Sequence, residues 1–459
     1  MKETQITATK KRNRLVFITK VVLLVLSMIT AIPMFNTAFR DAYKLCCAWS
    51  VILVIWLFIK NRKSYMKKEY ILFLLFCCSY AVTIFLNINE HFINEVAMLG
   101  FTGMLFFMLT YCDTKLTKEE AKEELIKMAW IIVIISFVYS VINFILLIVE
   151  LGGIVDMTDV TFIHGMVDNR LGGIYNPNTG ASVNYIAFIV SLILIKEVKK
   201  KKPFLIANVI LQFICFAATQ SRSGWVCLLG FTFIYFIFVN KKEKFRGIKK
   251  YAVRVVAAVL ACTFLVVGSN IARSVVWTGA SLIRMEEEGG DKPKKVDSKR
   301  VKVDESSANG VSAGRLHLWQ VAMKEYKDVN PVMGIGFRSI DDVLKEGLTK
   351  GEYKNSAQGG LHNVYVTILV SSGIVGLLIF AIFAIFMLKR VLDILISKNI
   401  PEYVKCLAAF IPVWLLGDLV ESRIMLGMNY LAVCFWIVVG YVLYYSEGYR
   451  HGKHHHSGV

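Results

Sequence analysis

The sequence has little of what a soluble enzyme of this length contains. Among 459 residues there are only 7 prolines, and charged residues make up 19 %, whereas hydrophobic residues reach 56 % and the mean hydropathy is +0.55. The ten cysteines lie in or beside apolar runs and never show C-x-x-C spacing, so we expect neither disulfides nor a zinc site. This composition argues against a multidomain soluble protein and is typical of a helical bundle in a membrane.

Acidic residues are also scarce, with 34 Asp and Glu against 53 Lys and Arg and a net charge of +19. In a soluble protein this excess would indicate nucleic-acid binding. Much of it lies in short clusters between apolar runs, where positive charge sets the orientation of transmembrane helices. We therefore expect no nucleic-acid partner.

The apolar runs predict an all-α, polytopic membrane protein. A run of about 20 apolar residues crosses the hydrocarbon core as a helix, since backbone groups cannot remain unpaired in lipid. About 12 such segments occur, near residues 15–35, 42–60, 70–87, 92–112, 126–150, 182–196, 203–220, 224–240, 251–270, 361–388, 404–420 and 424–446.

Basic clusters predict the orientation of these helices. The clusters lie at residues 10–14, 60–68, 199–202, 241–254 and 389–405, and the alternate short loops hold only isolated cations. Because cytoplasmic loops are enriched in Lys and Arg, both termini are predicted to be cytoplasmic in a multi-pass protein of the cell membrane. The first apolar run lacks a small-residue cleavage site and is expected to remain as a helix.

Two long outer segments divide the chain. We expect nine transmembrane helices in residues 1–270 with an outer loop at about 151–181, a large extracytoplasmic loop at 271–360, three helices in 361–446 and a cytoplasmic tail at 447–459. The charged stretch at about 286–305 is interpreted as a flexible insertion, and the histidine-rich tail as solvated or a tag remnant. Neither is expected to carry chemistry.

Order is predicted to return at Ser312 within the large loop. Ser312 would cap an amphipathic helix with apolar residues at helical spacing, namely Leu316, Trp319, Met323 and Tyr326, and Asn330-Pro331 would end it. A turn at Gly334 and Gly336 and a short helix capped by Ser339 follow. Asp341 and Asp342 fall in its first turn, where carboxylates favour the helix dipole, and we prefer that explanation to a metal site.

Four arginines on the predicted outer side are candidates for binding phosphate: Arg170, Arg222, Arg315 and Arg338. A guanidinium pairs with phosphate through two parallel hydrogen bonds and keeps its charge, so a cluster of arginines suits a phosphate or pyrophosphate ligand. The alternative is that each arginine anchors a helix end at the lipid headgroups.

His362 is the candidate general base. It opens a predicted transmembrane helix, where the partial positive charge of the N-terminus disfavours an imidazolium and would keep the ring neutral and able to accept a proton. The alternative is a histidine that only hydrogen-bonds in the turn that starts the helix.

A resemblance rests on four motifs in order: RLGGIYNPN, SRSGW at a helix–helix turn, GRLHLW followed by NPVMGIGF, and LHNVYVTILVSSGIVGLL. Together they resemble the O-antigen ligase and O-antigen polymerase superfamily over about residues 165–390, whereas the first four helices are similar only in hydropathy. Any one fragment alone would be weak evidence.

The resemblance implies a membrane glycosyltransferase in surface polysaccharide biosynthesis, such as that of exopolysaccharide or capsule. It would move a glycan from a polyprenyl-pyrophosphate carrier to a glycan or lipid acceptor hydroxyl at the outer face of the membrane. Independently of the resemblance, the lack of an outward Asp, Glu or His cluster with metal spacing predicts a transfer without a metal or another cofactor. The resemblance also implies that Arg222 and Arg315 bind pyrophosphate and that His362 activates the acceptor. Arg170, Asn178 and Arg338 match the family pattern more loosely as substrate-binding residues.

Two other classes of protein stay open. A transporter or flippase of a glycolipid or small solute would also have about 12 helices, with functional residues on broken helices near the bilayer midplane and often an internal repeat. The sequence shows neither a clear Gly or Pro interruption at matching positions nor a persuasive repeat. A membrane scaffold for assembly enzymes would make His362 dispensable.

Overall fold

The computed structural model describes residues 2–88, 90–152, 164–167, 169–240, 247–288, 311–350, 353, 360–427 and 429–454. Most of the predicted insertion, Asp168, Gln358, Gly359, His455 and His456 lie outside the described residues. The helices are α1 (Lys2–Thr30), α2 (Pro33–Asn61), α3 (Lys68–Leu86), α4 (Phe92–Leu109), α5 (Lys118–Gly152), α6 (Pro177–Glu197), α7 (Lys202–Thr219), α8 (Arg222–Ile234), α9 (Gly247–Glu288), α10 (Val311–Val329), α11 (Ser339–Gly347), α12 (Val364–Ile396), α13 (Glu402–Gly417) and α14 (Tyr430–His454).

The all-α prediction is confirmed. Among the described residues, eleven helices are long and apolar enough to cross a membrane. The strands found there are β1 (His164–Val167) and β2 (Arg170–Gly173), which form one antiparallel hairpin with Met166 opposite Leu171. The chain is therefore a polytopic helical membrane protein.

The segment predicted near residues 404–420 corresponds to α13, which is not among these eleven helices. It has 16 residues and contains Pro412, so it is roughly 24 Å long, against about 30 Å of hydrocarbon. Lys405 near its start donates to the carbonyl of Leu395 (3.0 Å) at the end of α12, while the carbonyl of Asp418 after its end accepts from Val364 N (3.0 Å) at the start of α12. Helix α13 thus runs antiparallel to α12 along its length.

The chain divides into two units, each with its own packing. The first contains Met1–Ser27, Ala42–Lys118 and Lys302–Val459, and the second contains Met28–Asp41 and Glu119–Val301. The first holds α3, α4 and α10 to α14. The second holds α5 to α9 and the hairpin.

Helix α9 is longer than the apolar pattern predicts. The sequence places its end near residue 270, because Ser269, Asn270 and Arg273 are polar, but the helix continues to Glu288. The residues beyond them are again apolar, and Val276 and Trp277 are buried with Ala280 against residues of α5 and α7. Burial of that stripe outweighs the local polarity.

Helices α10 and α11 pack as a pair over a core of their own. Leu318, Ala322 and Tyr326 of α10 and Ile340 and Leu344 of α11 are buried in one cluster. The predicted amphipathic helix is therefore present and ends at Val329, before Asn330 as expected.

Two details of that prediction are wrong. Leu316, expected on the apolar face, is 52 % exposed, because the face that packs is centred on Leu318 and Ala322. Ser312 lies inside the first turn of α10, which begins at Val311, and Ser339 is the first residue of α11 rather than its cap. Asp341 and Asp342 do lie in the first turn of α11, as predicted.

Helix α12 is interrupted at Gly373, a feature that the sequence analysis did not find. Gly373 has φ +67° and ψ −174°, and a Cβ there would lie 2.0 Å from the carbonyl oxygen of Val332. Only glycine fits a left-handed residue this close to another backbone. This break leaves a gap in the helix, which is flanked by the carbonyls of Val370 and Ser371 and the amides of Ile374 and Val375.

Residues 331–336 fill this gap and pair with the broken helix. The amides of Ile335 and Gly336 donate to the carbonyls of Val370 (3.0 Å) and Ser371 (3.1 Å), and the amides of Ile374 and Val375 donate to those of Pro331 (3.2 Å) and Val332 (3.3 Å). Backbone groups inside a membrane protein must be satisfied internally, and this pairing does so. The break is thus a seam between two segments, and its polar groups are used within the protein.

Helix α3 holds the inserted segment from another side. The Thr83 hydroxyl donates to the Met333 carbonyl, and the Asn87 amide donates to that of Gly334 (3.0 Å). Gly334 has φ +81°, and a Cβ there would lie 2.6 Å from the backbone of Ser371. The chain between α10 and α11 is therefore fixed within the first unit.

Candidate functional site

His362 lies just before α12. It has φ +49°, and Asn363 is the N-cap of the helix, accepting hydrogen bonds from the amides of Tyr365 (2.9 Å) and Val366 (3.1 Å). His362 was predicted to open the helix, but α12 begins two residues later, at Val364, so the ring lies outside the first helical turn. Its side chain is 23 % exposed, so one part of the ring packs and another remains accessible.

Glu421 joins His362 to Arg315. His362 Nδ1 is 3.4 Å from Glu421 Oε2, and Arg315 Nη2 is 3.6 Å from Glu421 Oε1. Arg423 Nη2 is 3.2 Å from the same Oε1 atom. The Glu421 side chain is only 9 % exposed. We call His362, Arg315, Glu421 and Arg423 the His362 cluster.

Three elements of the first unit position the cluster. Arg315 comes from α10 and also donates to the carbonyl of Val420. Glu421 and Arg423 come from the connection after α13, and the amide of Val364 is 3.1 Å from the carbonyl of Glu421. The start of α12, the end of α13 and α10 therefore converge at one place.

Asp418 shapes the connection that carries Glu421 and Arg423. Its Oδ2 atom accepts from the amides of Arg423 (3.1 Å) and Ile424 (3.0 Å), closing the chain into a tight loop. The indole of Trp436 on α14 donates to the Ile424 carbonyl (3.1 Å) and holds the far side of the loop. Glu421 is thus presented on a fixed backbone.

The two acids of this loop have opposite electrostatic environments. Burial by itself would raise the pKa of Glu421, but the hydrogen bond with His362 and the charges of Arg423, His362 and Arg315 lower that pKa to about 2. Burial raises the pKa of Asp418 to about 7, against the opposing effect of the two amides and of Arg423. Glu421 is therefore an anion at neutral pH, whereas the pKa of Asp418 lies close to neutral pH.

Helix α10 also fixes the residue before the candidate base. The indole of Trp319, one helical turn after Arg315, donates to the carbonyl of Leu361 (2.7 Å), and Leu361 is buried. The positions of Arg315 and His362 are thereby coupled through α10 as well as through Glu421.

The second unit holds Arg222 at a tight turn between α7 and α8. Gln220 has φ +49°, and Ser221 caps α8 by accepting from the amide of Gly224 (3.3 Å). Arg222 is the first residue of α8 and is exposed. A helix start presents free amides and partial positive charge, so this arginine and the helix dipole favour the same anion.

Arg170 and Asn178 meet at this turn. Arg170 on β2 donates to the Thr219 carbonyl (2.9 Å) and to Asn178 Oδ1 (3.1 Å), and the Ser221 hydroxyl donates to that same Oδ1 atom (2.9 Å). We call Arg170, Asn178, Ser221 and Arg222 the Arg222 turn. Arg170 thus has a structural role in holding the hairpin on the turn.

Arg338 belongs to the first unit, at the junction between the inserted segment and α11. Its amide donates to Glu95 Oε1 (2.6 Å), and its guanidinium lies 5.7 Å from the centroid of the Phe337 ring. Glu95 on α4 is buried and accepts from the Tyr80 hydroxyl through its other oxygen. Arg338 has no contact among those described that joins it to the His362 cluster.

The structure thus brings together residues that the sequence analysis proposed separately, in two groups. Arg315 and His362 share one cluster in the first unit, and Arg170, Asn178 and Arg222 share one turn in the second. Glu421 was missed, although an acid two residues before an arginine in the last short loop of a basic chain was a usable signal.

The comparisons bear on the same stretch of chain. Residues 207–381 match the family model described as O-antigen ligase. This stretch of the chain is similar to the O-antigen ligase family. The match confirms the resemblance predicted from the motifs, and no curated protein matches the chain.

The matched residues include four of the candidate residues, namely Arg222, Arg315, Arg338 and His362. Arg170, Asn178, Glu421 and Arg423 lie outside the matched residues. The match supports a function of the O-antigen ligase and polymerase type in polysaccharide biosynthesis. The acid of the His362 cluster, Glu421, thus lies C-terminal to the matched residues.

Proposed function

We propose that this protein transfers or polymerises an oligosaccharide from a polyprenyl-pyrophosphate carrier to an acceptor hydroxyl at the outer face of the cytoplasmic membrane. The observation that carries the proposal is the bridge of Glu421 between His362 and Arg315. It links the candidate base to a candidate phosphate-binding arginine through a buried anion, as expected if both act on one substrate pair.

In the proposed reaction His362 is the general base. Nδ1–H donates to Glu421, which leaves the lone pair of Nε2 for the proton of the acceptor hydroxyl. The acceptor oxygen bonds to the anomeric carbon of the donor as the bond from that carbon to the pyrophosphate oxygen breaks. The electron pair of the broken bond stays on the pyrophosphate, and the proton passes to His362.

The arginines are proposed to stabilise the leaving pyrophosphate. A fixed guanidinium aimed at an oxygen that gains charge is worth more in a site screened from water than in bulk. Arg315 is 26 % exposed, which leaves part of it open to a ligand while Glu421 and the Val420 carbonyl hold the rest. Arg222, at the start of α8, offers a second guanidinium together with helix amides. Arg170 and Asn178 then act by holding that turn, and Arg338 remains a candidate for binding the substrate.

The transporter alternative has one observation in its favour, the break in α12 at Gly373. In a transporter the free groups of a broken helix bind the solute or ion. Here the groups next to the break are paired with residues 331–336, which favours the enzyme.

Reconstituted protein tests the proposal. Purified protein in liposomes receives a lipid-linked oligosaccharide and an acceptor glycan, and product is compared for wild type, His362→Ala, Arg222→Ala and the control Arg40→Ala, which replaces an exposed arginine of α2. We expect product from wild type and Arg40→Ala, and a loss of about 10²-fold or more in the two site variants. Wild-type rates in His362→Ala would contradict the mechanism. Movement of the lipid between leaflets without transfer would favour the transporter.

A further inference from the structure

Three potential metal ligands meet where α11 packs near the start of α4. Glu90 and His91 immediately precede α4, and Asp342 lies in the first turn of α11. His91 Nε2 contacts Asp342 Oδ2 and is 3.7 Å from Glu90 Oε1. One ligand atom from each residue lies within 4.8 Å of the other two.

This arrangement suits a dication better than a single hydrogen bond. A single imidazole nitrogen carries at most one hydrogen and can donate to one carboxylate, yet two carboxylates face Nε2. A dication on the lone pair of that nitrogen would satisfy the imidazole and both acids together. The neighbouring Lys345 does not replace this ion, since its ammonium is 3.5 Å from Oδ1 of Asp342, whereas His91 contacts Oδ2.

We propose that Glu90, His91 and Asp342 bind a first-row transition-metal dication, with Zn²⁺ as the representative ion. One imidazole nitrogen and two carboxylate oxygens suit Zn²⁺ or Mn²⁺, whereas Mg²⁺ and Ca²⁺ prefer oxygen ligands alone. Ligands at about 2.0–2.2 Å from a zinc ion are at most about 4.4 Å apart, so a small rotation of a side chain closes the set. Glu90, 85 % exposed, is free to make it.

The ion would connect two segments that are distant in the chain. His91 and Asp342 are 251 residues apart, and the ion would fasten α11 to the residues before α4. The amide of Arg338 donates to Glu95 one turn into α4, so the ion would reinforce an existing attachment. This site is separate from the His362 cluster and does not depend on the proposed function.

Zinc titration of the full-length protein tests the proposal. Cysteine and histidine side chains can take up zinc wherever they are accessible, so all variants are made in a background with His451, His454, His455 and His456 of the tail replaced by alanine. Zn²⁺ alone is titrated by calorimetry into chelator-treated protein in detergent. The variants are His91→Ala, Asp342→Asn, Lys345→Gln and the control Glu346→Gln, an exposed acid of α11.

We expect one class of zinc site to weaken by about tenfold or more in His91→Ala and in Asp342→Asn, and to persist in Glu346→Gln. Lys345→Gln should tighten it, because a nearby positive charge is removed. Zinc should also raise the melting temperature of the background protein more than that of Asp342→Asn. Equal zinc affinity in the background, His91→Ala and Asp342→Asn would overturn the proposal, whether or not the protein is active.

Discussion

Replacing Glu421 by glutamine is the sharpest test of the His362 cluster. The change keeps the shape of the side chain and removes the charge that faces Arg315, Arg423 and His362. Because an amide NH₂ can face Nδ1, the ring would no longer be held with Nε2 as the acceptor of a proton. We expect kcat to fall by about 10²-fold, with a smaller change in KM for the lipid-linked donor.

The same substitution has an expected effect on stability. The pKa of Glu421 is lowered from 4.5 to about 2, which corresponds to roughly 3 kcal/mol of favourable interaction while Arg315, Arg423 and His362 are all charged, since one pKa unit is about 1.4 kcal/mol. A lowered pKa means that this contribution is present above pH 4.5 and is lost as the pH falls towards 2. The difference in melting temperature between wild type and Glu421→Gln should therefore shrink as the pH falls below 4.5.

Product formation from a lipid-linked oligosaccharide, followed over a pH series, measures the first effect, and thermal unfolding in detergent measures the second. Glu325→Gln, at an exposed position on α10, is the matched control and should behave as wild type in both assays. If Glu421→Gln keeps wild-type kcat and the wild-type pH profile, the carboxylate does not orient His362, and the reasoning fails.

Three further predictions concern Asp418, Gly373 and Trp319. The raised pKa of Asp418 implies a stability contribution that is present below pH 3.8 and is lost as the pH rises to about 7. In thermal unfolding at pH 8, Asp418→Asn should therefore be at least as stable as wild type. Marked destabilisation of Asp418→Asn at pH 8 would contradict this prediction. Gly373→Ala should lower the free energy of unfolding by well over 1 kcal/mol, whereas the control Gly100→Ala, with no heavy atom within 4 Å of the added Cβ, should not; equal melting temperatures would contradict the seam. Trp319→Phe removes the hydrogen bond to Leu361 and should cost about 1 kcal/mol and lower kcat severalfold, and unchanged values of both would show that this bond does not position the loop.

Hydropathy predicted the helices well, because each helix in lipid must satisfy its own backbone and so needs an uninterrupted apolar stretch. It failed where tertiary contacts replace that rule. Gly373 gave no signal of a break, since the partner of the broken backbone lies at residues 331–336, which local periodicity cannot reveal. The buried face of α10 was predicted wrongly for a similar reason. Leu316 and Leu318 are equally apolar, and the packing of α10 against α11 decides which of them is buried.

The candidate site was predicted in parts. His362 and Arg315 were found from their motifs, but the distance between them depends on Glu421, which is 59 residues from His362 in the chain. Asp418 and Arg423 were also unremarkable in sequence, because a loop closed by backbone hydrogen bonds leaves little pattern. The predicted association of Arg222 with Arg315 and His362 stays a prediction.

The pairing of residues 331–336 with the break at Gly373 has a consequence for recombination between relatives. A crossover between these two stretches would join an insert from one parent to a gap from the other, and a single misplaced Cβ at Gly334 or Gly373 would meet backbone atoms at 2.6 Å or 2.0 Å. Chimeras that carry residues 331–375 as one block avoid this mismatch. Residues 331–336 and 370–375 are thus expected to be inherited together.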